Sequence, residues 1–235
     1  MNVFRRRELK YLIDATQRAA LEQVFAEKML PDRYPHSSIR NIYYDTPDHR
    51  LIRHSLERPV YKEKLRLRCY GDSQDAFLEM KKKYNGIVYK RRISVTEAQA
   101  QGFMARRGQL PDSQIAREMV YFRDFYRDLQ PAVYLSYERD SWLGKDDPGL
   151  RITMDNEICF RRSDLRLSAS PEGQAILPPG LSLLEVKAEY AIPLWLTSLL
   201  SQQKIQRISF SKYGRAYEMG LRETIEERRG LGYAR

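Results

Sequence analysis

Charged residues alternate with apolar residues in several segments of the sequence. The pattern Glu-x-Lys, with an apolar residue between the charges, occurs three times: Glu8-Leu9-Lys10, Glu79-Met80-Lys81 and Glu185-Val186-Lys187. Similar alternation occurs in Lys64-Leu65-Arg66-Leu67-Arg68, Tyr137-Glu138-Arg139 and Arg151-Ile152-Thr153-Met154-Asp155. Cationic side chains in this arrangement can clamp phosphate oxygens, and a carboxylate among them can hold Mg²⁺ or Mn²⁺. The residue types therefore indicate a site for a phosphate chain.

The alternation also says how these side chains must be positioned. Residues i and i+2 of a β-strand share a face, so each segment places its charges on one face and its apolar residues on the other. In one arrangement the charged face is solvated, and Glu–Lys pairs stabilise neighbouring strands modestly. In the other, helices cover the apolar face and the charged face lines the polar lumen of a barrel.

Repetition of the pattern over six segments favours the barrel. Like charges crowded into a lumen repel by ~4 kcal/mol per pair at 4 Å when the effective dielectric constant is ~20. A polyanion, with a metal cation held by the carboxylates, would offset this repulsion. The predicted fold class is therefore α+β, an antiparallel β-barrel with a charged lumen and helices packed outside.

The overall charge is compatible with a polyanionic partner. The 235 residues include 41 Lys and Arg against 31 Asp and Glu, a formal net charge of +10, and arginines outnumber lysines by 29 to 12. The guanidinium fork favours bidentate contacts with phosphate or carboxylate groups. Nucleic acid, an anionic membrane surface and a phosphate-rich small molecule all fit this balance, as does an ordinary basic protein without such a partner.

Several classes of protein are excluded by the sequence. No run approaches the ~18 apolar residues of a membrane helix, and the basic N-terminus lacks the apolar stretch of a secretory signal. The Gly-x-x-x-x-Gly-Lys-Ser/Thr loop of P-loop proteins is absent. Two cysteines, Cys69 and Cys159, do not suggest a zinc site, so we expect a reduced, cytoplasmic protein. Cys69 is expected to face the apolar side of its strand.

The pattern of elements predicts one domain that is rich in antiparallel strands. Strands are predicted at residues 4–13, 39–45, 60–70, 76–83, 87–95, 132–140, 150–161 and 181–190. Helices are predicted near residues 15–30, 47–56, 96–107, 113–129, 193–204 and 211–229. Asp14 with Gln17 forms a predicted capping box, and Asn85-Gly86 is a strong hairpin signal. No domain linker or repeat of fixed period is present, so residues 1–235 are expected to form a single domain.

An ordered set of segments resembles the VTC domain, the polyphosphate-polymerase branch of the CYTH-like triphosphate tunnel metalloenzymes. The set comprises RRELKYLI (6–13), IRNIYYDT (39–46), KEKLRLRCY (62–70), LEMKKK (78–83), YERDSW (137–142), LRITMD (150–155), LLEVKAE (183–189) and SFSKYGRAYE (209–218). The resemblance covers a core of about residues 4–219, with a C-terminal helix to about 229. It implies that an antiparallel barrel forms a basic tunnel, in which the γ-phosphate of ATP is transferred onto a growing polyphosphate chain with Mn²⁺ or Mg²⁺.

The resemblance also assigns roles to individual residues. It implies that seven residues are phosphate ligands that take part in catalysis: Lys10, Arg66, Arg68, Lys81, Arg139, Arg151 and Lys212. Lys90 and Lys187 are implied as further substrate ligands, Tyr137 and Ser211 as polar residues near the phosphates, and Glu185 as the metal ligand. Other branches of the superfamily carry Glu-x-Glu-x-Lys on the first strand. Here Arg6 stands in the first acidic place, which makes the adenylate-cyclase and simple triphosphatase branches less favoured.

Three functions stay open at this point. The leading one is ATP-dependent polyphosphate synthesis, with ATP and inorganic polyphosphate as partners and no sequence-specific nucleic acid. The second is hydrolysis of an inorganic or nucleoside triphosphate at the same site. The third is a non-catalytic module that binds polyphosphate and regulates a membrane-protein partner, which would place the protein at the inner face of a membrane. The sequence gives no indication of oligomeric state.

Overall fold

A computed structural model describes residues 7–71, 73, 75–85 and 87–220 of the chain. The longer strands are β1 Arg7–Ile13, β2 Met29–Asp45, β3 Tyr61–Tyr70, β4 Asp75–Tyr84, β5 Ile87–Thr96, β6 Gln130–Gly144, β7 Arg151–Arg161 and β9 Ser182–Ala188, and the two-residue strands are β8 Gln174–Ala175 and β10 Arg207–Ile208. The helices are α1 Ala15–Lys28, α2 Arg50–Leu56, α3 Glu97–Met104, α4 Gln114–Tyr126 and α5 Leu194–Gln202. Residues 212–220 are also helical. No helix in this described part of the chain is long and apolar enough to cross a membrane.

Side-chain caps set the beginnings of three helices. The predicted capping box of α1 is confirmed, because the Asp14 carboxylate accepts from the Gln17 amide at 2.8 Å and the Gln17 side chain accepts from the Asp14 amide at 3.0 Å. Thr96 and Gln99 form the same box at α3. Ser113 caps α4 by accepting from the Ala116 amide. Each cap satisfies backbone N–H groups that have no partner within the helix.

The chain divides into two compact units. The first unit comprises residues 7–39, 136–158 and 177–210, and its strands are hydrogen-bonded in the order β10-β1-β9-β7-β6-β2. β9 pairs antiparallel with β1, where Leu9 lies opposite Val186, and with β7, where Ile152 lies opposite Val186. The apolar face of these strands packs with α1 and α5 into one core, to which Phe25 and Leu196 belong.

The second unit comprises residues 40–71, 73, 75–85, 87–135, 159–176 and 211–220. Its strands are hydrogen-bonded in the order β6-β2-β3-β4-β5, and β8 pairs with β7. Leu65 and Leu67 on β3 and Met80 on β4 pack against Phe103 of α3 and Phe122 of α4. Cys69 is buried in the same core, as the alternation predicts.

The structure confirms an antiparallel, sheet-rich α+β fold but not the closed barrel. Among the described residues the order of hydrogen-bonded strands begins at β10 and ends at β5. In the described part of each unit, the last strand of this order is not hydrogen-bonded to the first. The prediction of a closed hydrogen-bonded barrel is therefore wrong for this part of the chain. Strand periodicity reports which face of a strand is apolar, whereas closure depends on tilt and stagger between strands. The prediction of a single domain stays a prediction.

Most of the predicted elements are present, with one large difference. β2 begins at Met29, ten residues before the predicted strand at residues 39–45. The added segment contains Pro31 and Pro35, and proline signals the edge or the end of a strand because it donates no ladder hydrogen bond. Residues 4–6 of the first predicted strand and residues 221–229 of the last predicted helix lie outside the described residues.

Candidate functional site

Strands β3, β4 and β5 present a densely charged face in the second unit. Lys64, Lys81 and Lys90 lie opposite one another in one row, and Arg66, Glu79 and Arg92 form the next row. We call this surface the cationic face, and its charged members within the described strands are Lys62, Lys64, Arg66, Arg68, Lys81, Lys83, Lys90, Arg92 and Glu79. The opposite face carries Leu65, Leu67, Leu78 and Met80, which are fully buried. The predicted separation of charged and apolar residues is thus present in these strands.

Glu79 is the carboxylate at the centre of the cationic face. Only 2% of its surface is exposed. Within the described part of the chain, four cations lie within 4 Å of its oxygens: Arg66 at 2.7 Å, Lys90 at 2.7 Å, Arg92 at 3.5 Å and Arg68 at 3.9 Å. Burial would raise the pKa of Glu79, but Arg66, Arg68 and Lys90 lower it to about 2. Glu79 therefore stays ionised and compensates part of the surrounding charge.

β2 contributes two polar side chains that fix the arginines of this face. Arg66 donates to the Tyr43 hydroxyl at 3.0 Å, and Arg68 donates to the Asn41 side-chain oxygen at 2.8 Å. Burial would raise the pKa of Tyr43, but the charges of Arg66, Lys64 and Arg68 lower it to about 7. An ionised Tyr43 would add negative charge to the cationic face.

Ionisation of Tyr43 should make anion binding depend on pH. A bound polyanion favours neutral Tyr43, so the affinity for inorganic tripolyphosphate should fall as pH rises above about 7. Tyr43→Phe removes this proton linkage, and the ratio of wild-type to variant affinity should fall about tenfold between pH ~6.5 and ~8.5. Isothermal titration calorimetry without metal measures both affinities, and comparing two proteins cancels protonation of the ligand.

The exposed Tyr84 provides the matched control, because Tyr84→Phe should leave the affinity ratio constant with pH. In the absence of ligand, a lowered tyrosine pKa adds stability that is complete above pH ~10 and is lost as pH falls through ~7. The wild-type protein should therefore gain melting temperature relative to Tyr43→Phe over that interval. Parallel pH profiles for wild type and Tyr43→Phe would show that Tyr43 does not ionise in this range.

The beginning of the helical segment 212–220 adds the predicted residues Ser211 and Lys212 to the second unit. The Ser211 hydroxyl accepts from Lys64 at 3.0 Å and from the Gly214 amide at 3.1 Å, so it caps this segment. The ring of Tyr213 stacks on Tyr43 with centroids 4.8 Å apart. Its hydroxyl donates to the buried carboxylate of Asp45 at 2.7 Å. These contacts hold the segment against β2 and β3.

A second charged cluster lies in the first unit, around Glu185 of β9. Lys187 is 3.2 Å from Glu185, Lys10 of β1 is 3.3 Å away and Arg139 of β6 is 3.8 Å away. Arg139 also binds Asp155 of β7 through two hydrogen bonds of 2.6 and 2.8 Å. Burial lowers the pKa of Lys187, and the charge of Glu185 opposes this shift. We call these five residues the Glu185 cluster.

Two further predicted residues lie beside the Glu185 cluster. The guanidinium of Arg139 lies over the ring of Tyr137 at 5.2 Å. Arg151 lies opposite Lys187 in the β7–β9 register and forms an ion pair of 2.7 Å with Asp32. The described contacts thus bring Lys10, Tyr137, Arg139, Arg151, Glu185 and Lys187 together in the first unit. They place Arg66, Arg68, Lys81, Lys90, Ser211 and Lys212 in the second unit.

The donor set at Glu185 suits a metal ion that arrives with phosphate. Over residues 7–71, 73, 75–85 and 87–220, no group of three or more His, Cys, Asp or Glu side chains is placed to hold a metal ion. Mg²⁺ is commonly held by one or two carboxylates together with substrate phosphates rather than by a cage of protein ligands. A single buried glutamate next to Lys10, Lys187 and Arg139 fits that mode.

Three residues of the candidate site were not among the predicted site residues. Glu79 belongs to the Glu-x-Lys pattern, so its place on the charged face was visible in the sequence, but its role as a shared counterion was not. Asn41 and Tyr43 alternate within the strand IRNIYYD, which places them on one face. Nothing in that strand signals that their partners are Arg66 and Arg68, because that pairing depends on which strands are neighbours.

Comparison with solved structures shows that this fold occurs elsewhere. A candidate adenylate cyclase of Bacillus halodurans superposes with a TM-score of 0.56 at 14% sequence identity, over 87% of this chain and 92% of that chain. The candidate adenylyl cyclase HpAC1 of Hippeastrum, described as having a dominant triphosphatase activity, gives a TM-score of 0.51 at 15% identity, over 89% of this chain and 94% of that chain. The protein PH1819 of Pyrococcus horikoshii gives 0.50 at 13% identity, over 92% and 99%. These likenesses establish a shared fold.

The family follows from the sequence itself. The VTC domain profile matches residues 5–220, nearly the whole chain. The chain therefore belongs to the VTC domain family, and the resemblance seen in the ordered segments is confirmed. No curated protein sequence matches the chain significantly.

Proposed function

We propose that the protein is a polyphosphate polymerase that transfers the γ-phosphate of ATP onto a growing chain of inorganic polyphosphate. Membership of the VTC domain family supports this assignment. The observation that carries it is the cationic face, where the described parts of three adjacent strands present eight Lys and Arg side chains and one central carboxylate. The tunnel implied by the family resemblance is part of the proposal.

The geometry of the cationic face suits a phosphate chain. Neighbouring strands lie about 4.8 Å apart and alternate residues along a strand about 7 Å apart, so cations recur in two directions. Arg66 and Arg68 can contact adjacent phosphates, while the row of Lys64, Lys81 and Lys90 supplies point charges across the strands. Among the described residues of this face, eight cations surround one carboxylate, Glu79, and this composition suits a polyanionic ligand.

The proposed reaction demands positioning and charge stabilisation from the protein. Phosphoryl transfer proceeds with little covalent participation of protein groups, and arginine and lysine stabilise the oxygens that gain charge. The terminal oxygen of a polyphosphate chain is already ionised, so no general base is needed. Glu185 would hold Mg²⁺ or Mn²⁺, and the ion would neutralise negative charge on the phosphates. Lys10, Lys187 and Arg139 would bind phosphate oxygens beside Glu185.

The test is to incubate the pure protein with ATP and Mn²⁺, to resolve products by gel electrophoresis, and to follow ADP and orthophosphate separately. We expect ADP and an acid-labile phosphate polymer to appear together, with little orthophosphate. Stoichiometric orthophosphate without polymer would instead identify a hydrolase, the activity described for the structurally similar Hippeastrum protein. Absence of turnover would favour a binding module.

Arg66 offers a direct test of the cationic face. Arg66→Ala removes a charge-assisted contact to phosphate, and such a contact contributes about 1.5–3 kcal/mol, so kcat/KM for ATP should fall at least tenfold. The free energy of unfolding of this variant should change little, because three other cations remain within 4 Å of Glu79 among the described residues.

Arg91 is the matched control for Arg66. It lies on the opposite face of β5 and pairs with Glu118 at 3.0 Å. Arg91→Ala should leave kcat/KM within twofold of the wild-type value. Retained activity in Arg66→Ala together with a lowered melting temperature would mean that Arg66 only stabilises the sheet.

A further inference from the structure

Two aromatic rings lie at one end of the cationic face. Phe77 of β4 lies opposite Arg68 and Ser94 in the row next to Glu79, and Tyr70 follows Arg68 by two residues on β3. The two rings meet edge to face, with centroids 6.0 Å apart and an interplanar angle of 68°. Both side chains are half-buried, and Ser94 beside them is exposed. Uncharged rings at the end of a row of cations suit the uncharged part of a phosphorylated ligand.

Two arginines join these rings to the phosphate-binding rows. The guanidinium carbon of Arg92 lies 3.5 Å from the Phe77 centroid and 5.5 Å from the Tyr70 centroid. The guanidinium carbon of Arg68 lies 5.7 Å from the Tyr70 centroid. Arg92 and Arg68 also approach Glu79, which lies in the same row as Arg66 and Arg92. The same arginines can therefore contact a flat ring on one side and a phosphate on the other.

We propose that Tyr70, Phe77 and Arg92 form the subsite for the nucleobase of a purine nucleoside triphosphate. The triphosphate would extend from this subsite past Arg66 and Arg92 to the row of Lys64, Lys81 and Lys90. This inference rests on the proposed function for the choice of a nucleotide as ligand. Aromatic rings and guanidinium groups bind bases through their π-faces, so the subsite should tolerate adenine and guanine alike.

A purely structural role for the rings makes a different prediction. If Tyr70 and Phe77 only hold Arg68 and Arg92 in place, their loss should weaken every triphosphate equally, because all triphosphates use those arginines. If the rings bind the base, their loss should weaken nucleotides and spare inorganic tripolyphosphate. The two ligands share a chain of three phosphates and differ in the nucleoside.

The experiment measures binding of ATP and of inorganic tripolyphosphate to the full chain by calorimetry, without divalent metal so that no turnover occurs. Base stacking on an aromatic ring changes binding enough that Tyr70→Leu and Phe77→Leu should each weaken ATP about tenfold, with tripolyphosphate changed less than about twofold. Tyr70→Phe keeps the ring and should bind ATP like the wild type. Tyr84→Leu, at an exposed tyrosine on the other face of β4, should change neither ligand.

Equal weakening of both ligands, or unchanged ATP binding in both leucine variants, would overturn the subsite. Equal affinity of the wild-type protein for both ligands would also overturn it, as would absence of ATP binding. The outcome is separate from that of the proposed function. Selective loss of ATP binding in a protein that forms no polymer would support the subsite and refute the polymerase.

Discussion

Replacing Glu185 with Gln should lower ATP turnover about a thousandfold, because Lewis-acid stabilisation by a metal ion is worth several kcal/mol of transition-state energy. The substitution keeps the shape of the side chain and removes the charge that would hold the ion. Binding of tripolyphosphate without metal should be unchanged or tighter, since a negative charge leaves a cluster that contains Lys10, Lys187 and Arg139. Steady-state kinetics and calorimetry measure these two effects separately.

Glu138 is the matched control for Glu185 within the same unit. Its carboxylate accepts from Ser38 at 2.7 Å and lies 3.1 Å from His36. Glu138→Gln should retain turnover within about threefold, because it removes only a partly exposed surface pair. Binding of Mn²⁺ in the presence of tripolyphosphate, followed by electron paramagnetic resonance, should weaken in Glu185→Gln alone. Full activity of Glu185→Gln at limiting Mn²⁺ would remove Glu185 from the metal site.

Glu79→Gln should lower the free energy of unfolding by about 3 kcal/mol, the lower end of the cost of breaking a buried ion pair. The variant leaves Arg66, Arg68, Lys90 and Arg92 without the carboxylate that they surround. Partial exposure of Arg66, Lys90 and Arg92 moderates the cost. Tripolyphosphate should restore much of the loss, since a bound polyanion supplies the missing negative charge. Urea denaturation with and without tripolyphosphate measures both effects.

The pH dependence of this stability has a defined sign. The pKa of Glu79 is lowered from 4.5 to about 2, so its contribution is complete above pH ~4.5 and is lost as pH falls toward ~2. The difference between wild type and Glu79→Gln should shrink over that interval. Glu118→Gln, which removes the partner of Arg91, should cost less than about 1 kcal/mol at neutral pH. A cost for Glu79→Gln that is no larger than for Glu118→Gln would contradict the role of Glu79 as a shared counterion.

Local features of the fold were accessible from the sequence because they depend on residues close together in the chain. The alternation around Arg66 and Glu79 correctly separated the charged face from the apolar face. The capping residues Asp14 and Gln17 marked the beginning of α1. Both kinds of signal arise from fixed periodicities and local hydrogen bonds, and neither depends on the packing of distant elements.

Features that depend on strand neighbours were not accessible in the same way. The lowered pKa of Tyr43 requires β2 to lie beside β3, which no property of the segment IRNIYYD specifies. The sequence did not indicate that β2 begins at Met29, because Pro31 and Pro35 are typical of the edge or end of a strand. Closure of a barrel depends on the stagger between strands, and the alternation of residues within a strand carries no information about it. The assignment of Glu185 as a metal ligand came from the family resemblance and not from ligand spacing.

The most direct test of the proposed polymerase follows the fate of the transferred phosphate. The pure protein is supplied with ATP labelled at the γ-phosphate, unlabelled short polyphosphate and Mn²⁺, and label is measured in polymer and in orthophosphate. The cationic face and the Glu185 cluster predict that most of the released label enters the polymer, in proportion to the ADP formed. Label found only in orthophosphate, or label that stays in ATP, would contradict the proposed function.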